Sequence, residues 1–194
     1  MREQGSSSEA LDGKRGAVVI KRILIGLAVL VAVLAAGAYV LPRQIHVERS
    51  ITIDAPPETV FDLVNSFQRS AEWSPWHERD PNMAVSLDGP VAGVGAKMSW
   101  SSNNPQVGRG SQEIITSEPS TYVRSRLSFD GQQGAESFFN LTRVDDGTEI
   151  VWGFETDLGM NPLSRYMGLL MDRWVGGDFE RGLEKLKGIA ETGS

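Results

Sequence analysis

Alternation of apolar and polar residues governs most of the chain after residue 44. Val47, Ile51 and Ile53 fall on one side of a stretch whose His46, Glu48, Ser50 and Thr52 fall mostly on the other, the period of a half-buried strand. Asp54-Ala55-Pro56-Pro57-Glu58 stops that strand, and Val60, Phe61, Leu63, Val64 and Phe67 then take a helical spacing. A second short helix or turn is expected over 68–76, ending at Trp73-Ser74-Pro75-Trp76. Further strands are expected near 83–88, 95–102, 107–117, 121–129, 135–144 and 148–157. Their separators are Asp88-Gly89-Pro90, Asn103-Asn104-Pro105, Glu118-Pro119, Asp130-Gly131 and Asp145-Asp146-Gly147.

The period changes for good at residue 161. Asn161 caps orphan amides, Pro162 is pre-set for a first helical position, and apolar residues then recur in steps of three and four. They are Leu163, Tyr166, Met167, Leu170, Met171, Trp174, Val175, Phe179, Leu183, Leu186 and Ala190. A helix over 161–190 is roughly 40 Å long at about 1.5 Å per residue, too long for a small domain to bury unless something curved wraps it. The predicted fold is therefore α+β, a curved antiparallel sheet of about seven strands around a long C-terminal helix. Gly176-Gly177 interrupts that helix at about 1 kcal/mol per glycine, so a kink or a close approach by a strand is expected there.

A different signal precedes the domain. Residues 1–17 are polar, rich in Ser, Gly and Glu, and without apolar period, and are expected to form a disordered cytoplasmic tail. Residues 18–42 are expected to form a transmembrane helix: 23–41 carry no charge, which is close to the roughly 20 residues that span a bilayer. Lys14, Arg15, Lys21 and Arg22 precede the apolar run while only Arg43 and Arg49 follow closely, so the N-terminus is expected in the cytoplasm. The main domain would then be extracytoplasmic on a single-pass cell-membrane protein. Ala36-Gly37-Ala38 also has the small residues that a signal peptidase accepts, and both readings export the domain. Pro42 ends the helix in either case.

Composition narrows the chemistry. Hydrophobic residues at 40% and charged residues at 23% are globular values. The absence of cysteine removes disulfides, thiolate metal sites and a cysteine nucleophile. Residues 44–194 carry 22 acidic and 13 basic side chains, a net of −9 with no basic stripe, which speaks against nucleic acid as a partner.

Several motifs carry a resemblance. Arg49-Ser50-Ile51-Thr52-Ile53-Asp54-Ala55-Pro56-Pro57-Glu58 leads into Val60-Phe61; Trp73-Ser74-Pro75-Trp76 follows; Gly93-Val94-Gly95-Ala96 precedes Trp100; Asp178-Phe179-Glu180-Arg181-Gly182-Leu183 lies in the last helix. With the order strand, two helices, six strands, long helix, residues 44–191 resemble the helix-grip fold of the START and birch-pollen-allergen superfamily, the SRPBCC or polyketide cyclase-like proteins, and their membrane-anchored bacterial subgroup. The resemblance implies a ligand-binding fold with some enzymes in it, and does not by itself decide catalysis.

Strand parity names the lining such a fold would use. Met98 and Trp100 share a face, as do Leu127 and Phe129, then Phe139 and Leu141, then Trp152 and Phe154. With Met167, Met171 and Trp174 opposite, and Trp73 and Trp76 at one end, the candidate ligand-binding residues form an aromatic, Met-rich set suited to an adaptable apolar site. The plain alternative is that these side chains interdigitate as solid core. Trp73-Ser74-Pro75-Trp76 is expected to plug the end of the sheet rather than move as a lid. On this reading Trp152→Ala lowers binding of apolar ligands more than it alters the fold.

Catalytic candidates are thin. The histidines are His46 and His77, no H-E-x-x-H or G-x-S-x-G occurs, and no catalytic residue, metal or cofactor is expected. His77-Glu78-Arg79-Asp80 is expected to be a solvated turn, and Glu113, Arg124 and Arg126 to form cross-strand ion pairs on the convex face. The leading expectation is a membrane-anchored module, held to the membrane through 23–41, that binds a hydrophobic small molecule or lipid. A polyketide cyclase or aromatase-like enzyme and a filled-core protein-interaction domain are the alternatives.

Overall fold

The computed structural model describes residues 6–129 and 132–193, with side chains from residue 20 onward except 132 and 133. A helix α1 (Ser6–Ala38) is followed by strand β1 (Gln44–Ile53) and short helices α2 (Pro57–Val64), α3 (Phe67–Ser70) and α4 (Pro75–Arg79). Six strands follow, β2 (Ala84–Asp88), β3 (Lys97–Ser101), β4 (Arg109–Glu118), β5 (Tyr122–Phe129), β6 (Gln132–Val144) and β7 (Gly147–Asp157), and α5 (Pro162–Thr192) closes the chain. All seven strands form one antiparallel sheet in the order β1-β7-β6-β5-β4-β3-β2. The six later strands are thus a meander, and β1 returns to pair with the last of them. This is the expected helix-grip architecture.

Three details depart from expectation, the first being that α1 ends at Ala38, where tighter turn bonds from Tyr39, Val40 and Leu41 replace the helical ones before Pro42 is reached. Three short helices stand where two were expected, because Pro75 restarts the chain as the first residue of α4. The helix α1 also takes in residues 6–17 of the expected polar tail, with residues 1–5 outside the described ones. Extending a helix outward from an apolar segment needs no new nucleus, and Glu9, Ala10, Leu11, Lys14 and Arg15 are good helix formers. The expected turn at Asp130-Gly131 lies outside the described residues.

The start of α5 is set as its sequence suggests. Asn161 Oδ1 accepts the Leu163 amide at 3.0 Å, and Gly193, at φ 70°, ends the helix in the left-handed region. Phe179, Leu183 and Leu186 of its second half are fully buried against Ile53, Leu63, Ile114 and Ile150. The core therefore sits at one end of the sheet, under α2. Bulges between Ile114 and Thr116 and between Leu127 and Ser128 bend β4 and β5, giving the sheet the curvature that wrapping a helix demands.

Arg49 ties β1 to the middle of that helix. Its Nε donates to Glu180 Oε1 at 2.7 Å, Nη1 donates to Asp172 Oδ1 at 3.0 Å, and Nη2 to Asp172 Oδ2 at 3.2 Å. These bonds hold the Asp172 carboxyl below the ordinary carboxylate range. The guanidinium lies in a notch at Gly176, where a Cβ would collide with Arg49 Nη2. The glycine in the helix is thus a close approach, and the approaching group is a side chain of the first strand. Gly176→Ala is expected to destabilise the protein by about 1–3 kcal/mol through overpacking, despite a helix-propensity gain of about 1 kcal/mol. Denaturant unfolding of the detergent-solubilised chain checks this, and a stabilised variant would show that the guanidinium has another place to go.

Candidate ligand-binding site

Between the concave face of the sheet and the first half of α5 lies a cavity of about 310 Å³, with α4 at one end. Its size falls at the small end of ligand pockets. Nine of the expected lining residues surround it: Trp76, Met98, Trp100, Leu127, Phe129, Trp152, Phe154, Met171 and Trp174. The strand residues arrive there by alternation, and Met171 and Trp174 by helical spacing.

The other three lie elsewhere. Trp73 is buried behind the cavity, donating from Nε1 to the Leu63 carbonyl at 3.1 Å and meeting Trp152 edge-on with ring centres 5.3 Å apart. It is the expected plug. Phe139 pairs with Trp152 across the strands at the level where α2 already fills the core, so it is packed rather than lining. Met167 is 45% exposed on the outer side of α5, because the apolar stripe of this half is wider than the sheet covers.

The floor is rigid. Trp152 stacks on Phe179 with ring centres 4.0 Å apart and donates from Nε1 to Ser137 Oγ at 3.0 Å, which donates in turn to the Gly153 carbonyl at 3.0 Å. Gly182 makes that stack possible, since a Cβ there would lie 2.7 Å from Trp152 Cζ3 and 3.2 Å from Pro75 Cδ. The side walls are softer, with Met98 on β3 facing Met171 on α5 across the space.

Polar groups enter at the α4 end, and the expected solvated turn is corrected there. Arg79 folds back beneath α5: its Nη1 donates to Asp178 Oδ2 at 2.6 Å and its Nη2 to Asp178 Oδ1, which Arg181 also reaches. Asp178 is buried in the cavity wall. A carboxylate between Val175 and Phe179 on the inward face needs a cation, and that need was the available signal. Asp80 accepts from Ser102 Oγ, so the end of α4 is pinned to the β3 side as well. His77 lines the cavity, and its Nδ1 is buried without a hydrogen-bond partner among the described residues. Burial, with Lys185 nearby, lowers its pKa below the ordinary value of 6.5, so the ring is neutral at pH 7. Among the described residues no three His, Cys, Asp or Glu side chains converge as a metal site would require.

A larger hollow of about 610 Å³ lies on the other face of the sheet, lined by His46, Arg126, Glu136, Glu155 and Asp157 among others. It is open, and its charges are largely paired: Arg124 bridges Glu136 at 3.0 Å and Glu155 at 3.5 Å, and His46 Nδ1 lies 3.1 Å from Glu155. Glu113 pairs with Lys97 at 3.5 Å, so Glu113 and Arg124 form cross-strand pairs with partners other than one another, and Arg126 has no ion pair among the described residues. The apolar, less open cavity is the better ligand site.

A family model described as polyketide cyclase / dehydrase and lipid transport matches residues 44–191. The chain belongs to that family, within the SRPBCC superfamily. No curated protein matches the chain in sequence. The polyketide cyclase-like fold is shared with the di-domain ARO/CYC StfQ from the steffimycin biosynthetic pathway, at TM-score 0.56 and 13% identity over 77% of this chain and 51% of that one. The Aha1 dimer from Colwellia psychrerythraea matches at TM-score 0.52 and 17% identity, over 77% of this chain and 98% of that one. Ara h 8.0201 matches at TM-score 0.52 and 15% identity, over 76% and 97%. At these identities the likeness is one of fold.

Trp152 stands in the floor, stacked on Phe179, so its truncation is expected to cost stability as well as any binding. Trp152→Ala should cost about 3–5 kcal/mol of stability, read as a lowered denaturation midpoint. His77 yields a pH dependence. Its folded pKa is depressed, so the unfolded chain takes up the proton first, and stability held above pH 6.5 is lost as pH falls through the folded pKa. The difference in melting temperature between wild type and His77→Gln should therefore change across that window, and parallel curves would show that the imidazole titrates normally.

Proposed function

We propose that the domain holds an apolar small molecule or part of a lipid in the cavity between sheet and α5, and that α1 anchors it in the cell membrane with the N-terminus cytoplasmic. The observation that carries the binding reading is the cavity itself, walled by Trp76, Trp100, Leu127, Phe129, Met98 and Met171 beside the buried core. A filled core would have closed it. The family description, which names cyclases, dehydrases and lipid transport, agrees with an apolar cargo.

Support for the anchor comes from α1. Its segment Ile20–Ala38 spans 19 residues with mean hydropathy 2.2, and it stands clear of the protein until its last residue, Ala38. Helices apolar on every face and uncovered by protein are stable in lipid and not in water. A signal sequence passes the same test, but the small-residue site Ala36-Gly37-Ala38 is held by the domain. Ala38 is fully buried, Arg165 Nη1 donates to its carbonyl at 3.4 Å, and Tyr166 Oη donates to the Leu34 carbonyl at 2.9 Å. Peptidase access would require those contacts to open, which favours retention.

One observation favours a second reading, in which the cavity is catalytic. A neutral His77 with a free Nδ1 in an apolar wall has the character of a general base, whereas Asp178 is committed to Arg79 and Arg181. No second group stands free beside it among the residues described above, so binding remains the better-supported function.

The test is native mass spectrometry of the whole chain extracted in mild detergent, beside a Leu127→Trp variant that fills the cavity. A discrete apolar adduct on the wild type, lost from a variant whose melting temperature is little changed, is expected. Clean apo masses in both, before and after incubation with membrane lipids, would sink the binding reading. Consumption of a bound polyketide-like substrate that stops in His77→Gln would decide for catalysis.

A further inference from the structure

The face of α5 turned away from the sheet is apolar where it should be polar. Leu163, Met167, Leu170 and Trp174 follow one another in steps of four, three and four, and are 69%, 45%, 44% and 49% exposed. Such spacing places them in one stripe, and no charged side chain interrupts it. Single exposed apolar residues are ordinary; a continuous row of large ones marks a surface made to be covered.

The contacts between α5 and α1 indicate what covers it. Arg165 Nη1 donates to the carbonyls of Ala38 at 3.4 Å and Leu41 at 3.5 Å, capping the end of α1, and its guanidinium lies 5.2 Å from the centre of the Tyr39 ring. Tyr166 bonds to Leu34, four residues inside the end of the apolar segment, or about 6 Å at 1.5 Å per residue. The first turn of α5 therefore stands level with the last turn of the membrane segment. That is the depth, about 5–10 Å into the boundary of headgroups and acyl chains, at which interfacial helices bury their apolar face. Trp174 at one end of the stripe and Tyr39 beside its start are the residue types that favour this boundary.

We infer that the first half of α5 lies in the outer membrane surface, with Leu163, Met167, Leu170 and Trp174 inserted among lipids. This rests on the anchor reading above. Trp174 belongs both to the stripe and to the cavity wall, so the cavity faces the lipid and an apolar molecule reaches it without crossing water. The domain is acidic overall, so apolar insertion rather than attraction to anionic lipid holds this face down, and high salt leaves the docking intact.

The chain has no cysteine, which allows single-cysteine probes. Leu163→Cys, Leu170→Cys, Leu30→Cys in α1 and Ser86→Cys in β2 are labelled with an environment-sensitive fluorophore. The full chain is then reconstituted into phosphatidylcholine–phosphatidylglycerol vesicles carrying lipids spin-labelled at shallow or deep positions. Labels at 163 and 170 should be quenched by shallow spin labels at least about twofold more than the label at 86, and the label at 30 by deep ones. Quenching at 30 without quenching at 163 and 170 overturns the docking and leaves the anchor standing. Loss of deep quenching at 30 overturns the anchor itself. Crosslinking of Leu170→Cys between copies in the vesicles, without lipid quenching, assigns the stripe to a second copy and likewise overturns it.

Discussion

A helix of 31 residues is longer than the sheet beneath it can cover, and the organisation of this protein follows from where the cover ends. In the second half of α5, Phe179, Leu183, Leu186 and Ala190 are sealed against β-strands and α2. In the first half the sheet curves away from the helix, leaving the cavity on one side and the exposed stripe on the other. Arg49 marks the changeover, because its guanidinium in the Gly176 notch fixes how closely β1 approaches the helix at that point. A flatter sheet would lose the cavity, and a shorter helix would lose its far wall.

The polar groups at the α4 end have a different task. Burying Asp178 beside the half-buried Arg79 takes one charge almost wholly and the other partly out of water, and the attraction between them offsets that cost without a clear surplus, so the pair is weak grounds for stability. What it does is geometric. Arg79 holds α4 against α5, and α4 carries Trp76 and His77, so the ion pair determines where the cavity ends. His77 keeps a buried nitrogen, unpartnered among the described residues, at that same end, an atom open to a hydrogen bond with a ligand's polar group.

Periodicity made the architecture legible because strand and helix repeats are properties of neighbouring residues. The α5 cap at Asn161, the strand order implied by short turns, and the shared faces of Met98 with Trp100 and of Trp152 with Phe154 all follow from local spacing. Depth along the cavity is a different matter. Phe139 and Trp152 have the same parity and sit opposite one another, yet Phe139 is packed under α2 while Trp152 reaches the cavity, a distinction made only by the distant helix. Met167 shows the converse failure, since the α5 stripe extends past the sheet and no pattern within the helix says where coverage stops. Arg79 looked solvated because its partner Asp178 lies 99 residues away.

On the anchoring proposed above, the coupling between anchor and cavity becomes a question of orientation. A flexible tether would raise the local concentration of the domain near lipid while leaving it free to tumble. Here the link from Ala38 to Gln44 is short, and Arg165 and Tyr166 bind back onto α1 at Leu34 and Ala38 and onto the link at Leu41. The proposed anchor helix and the helix that walls the cavity are thereby joined at their ends, which on that proposal gives the cavity a set bearing relative to the membrane. An acidic domain has no electrostatic reason to approach anionic lipid, and this joint supplies the bearing that charge does not.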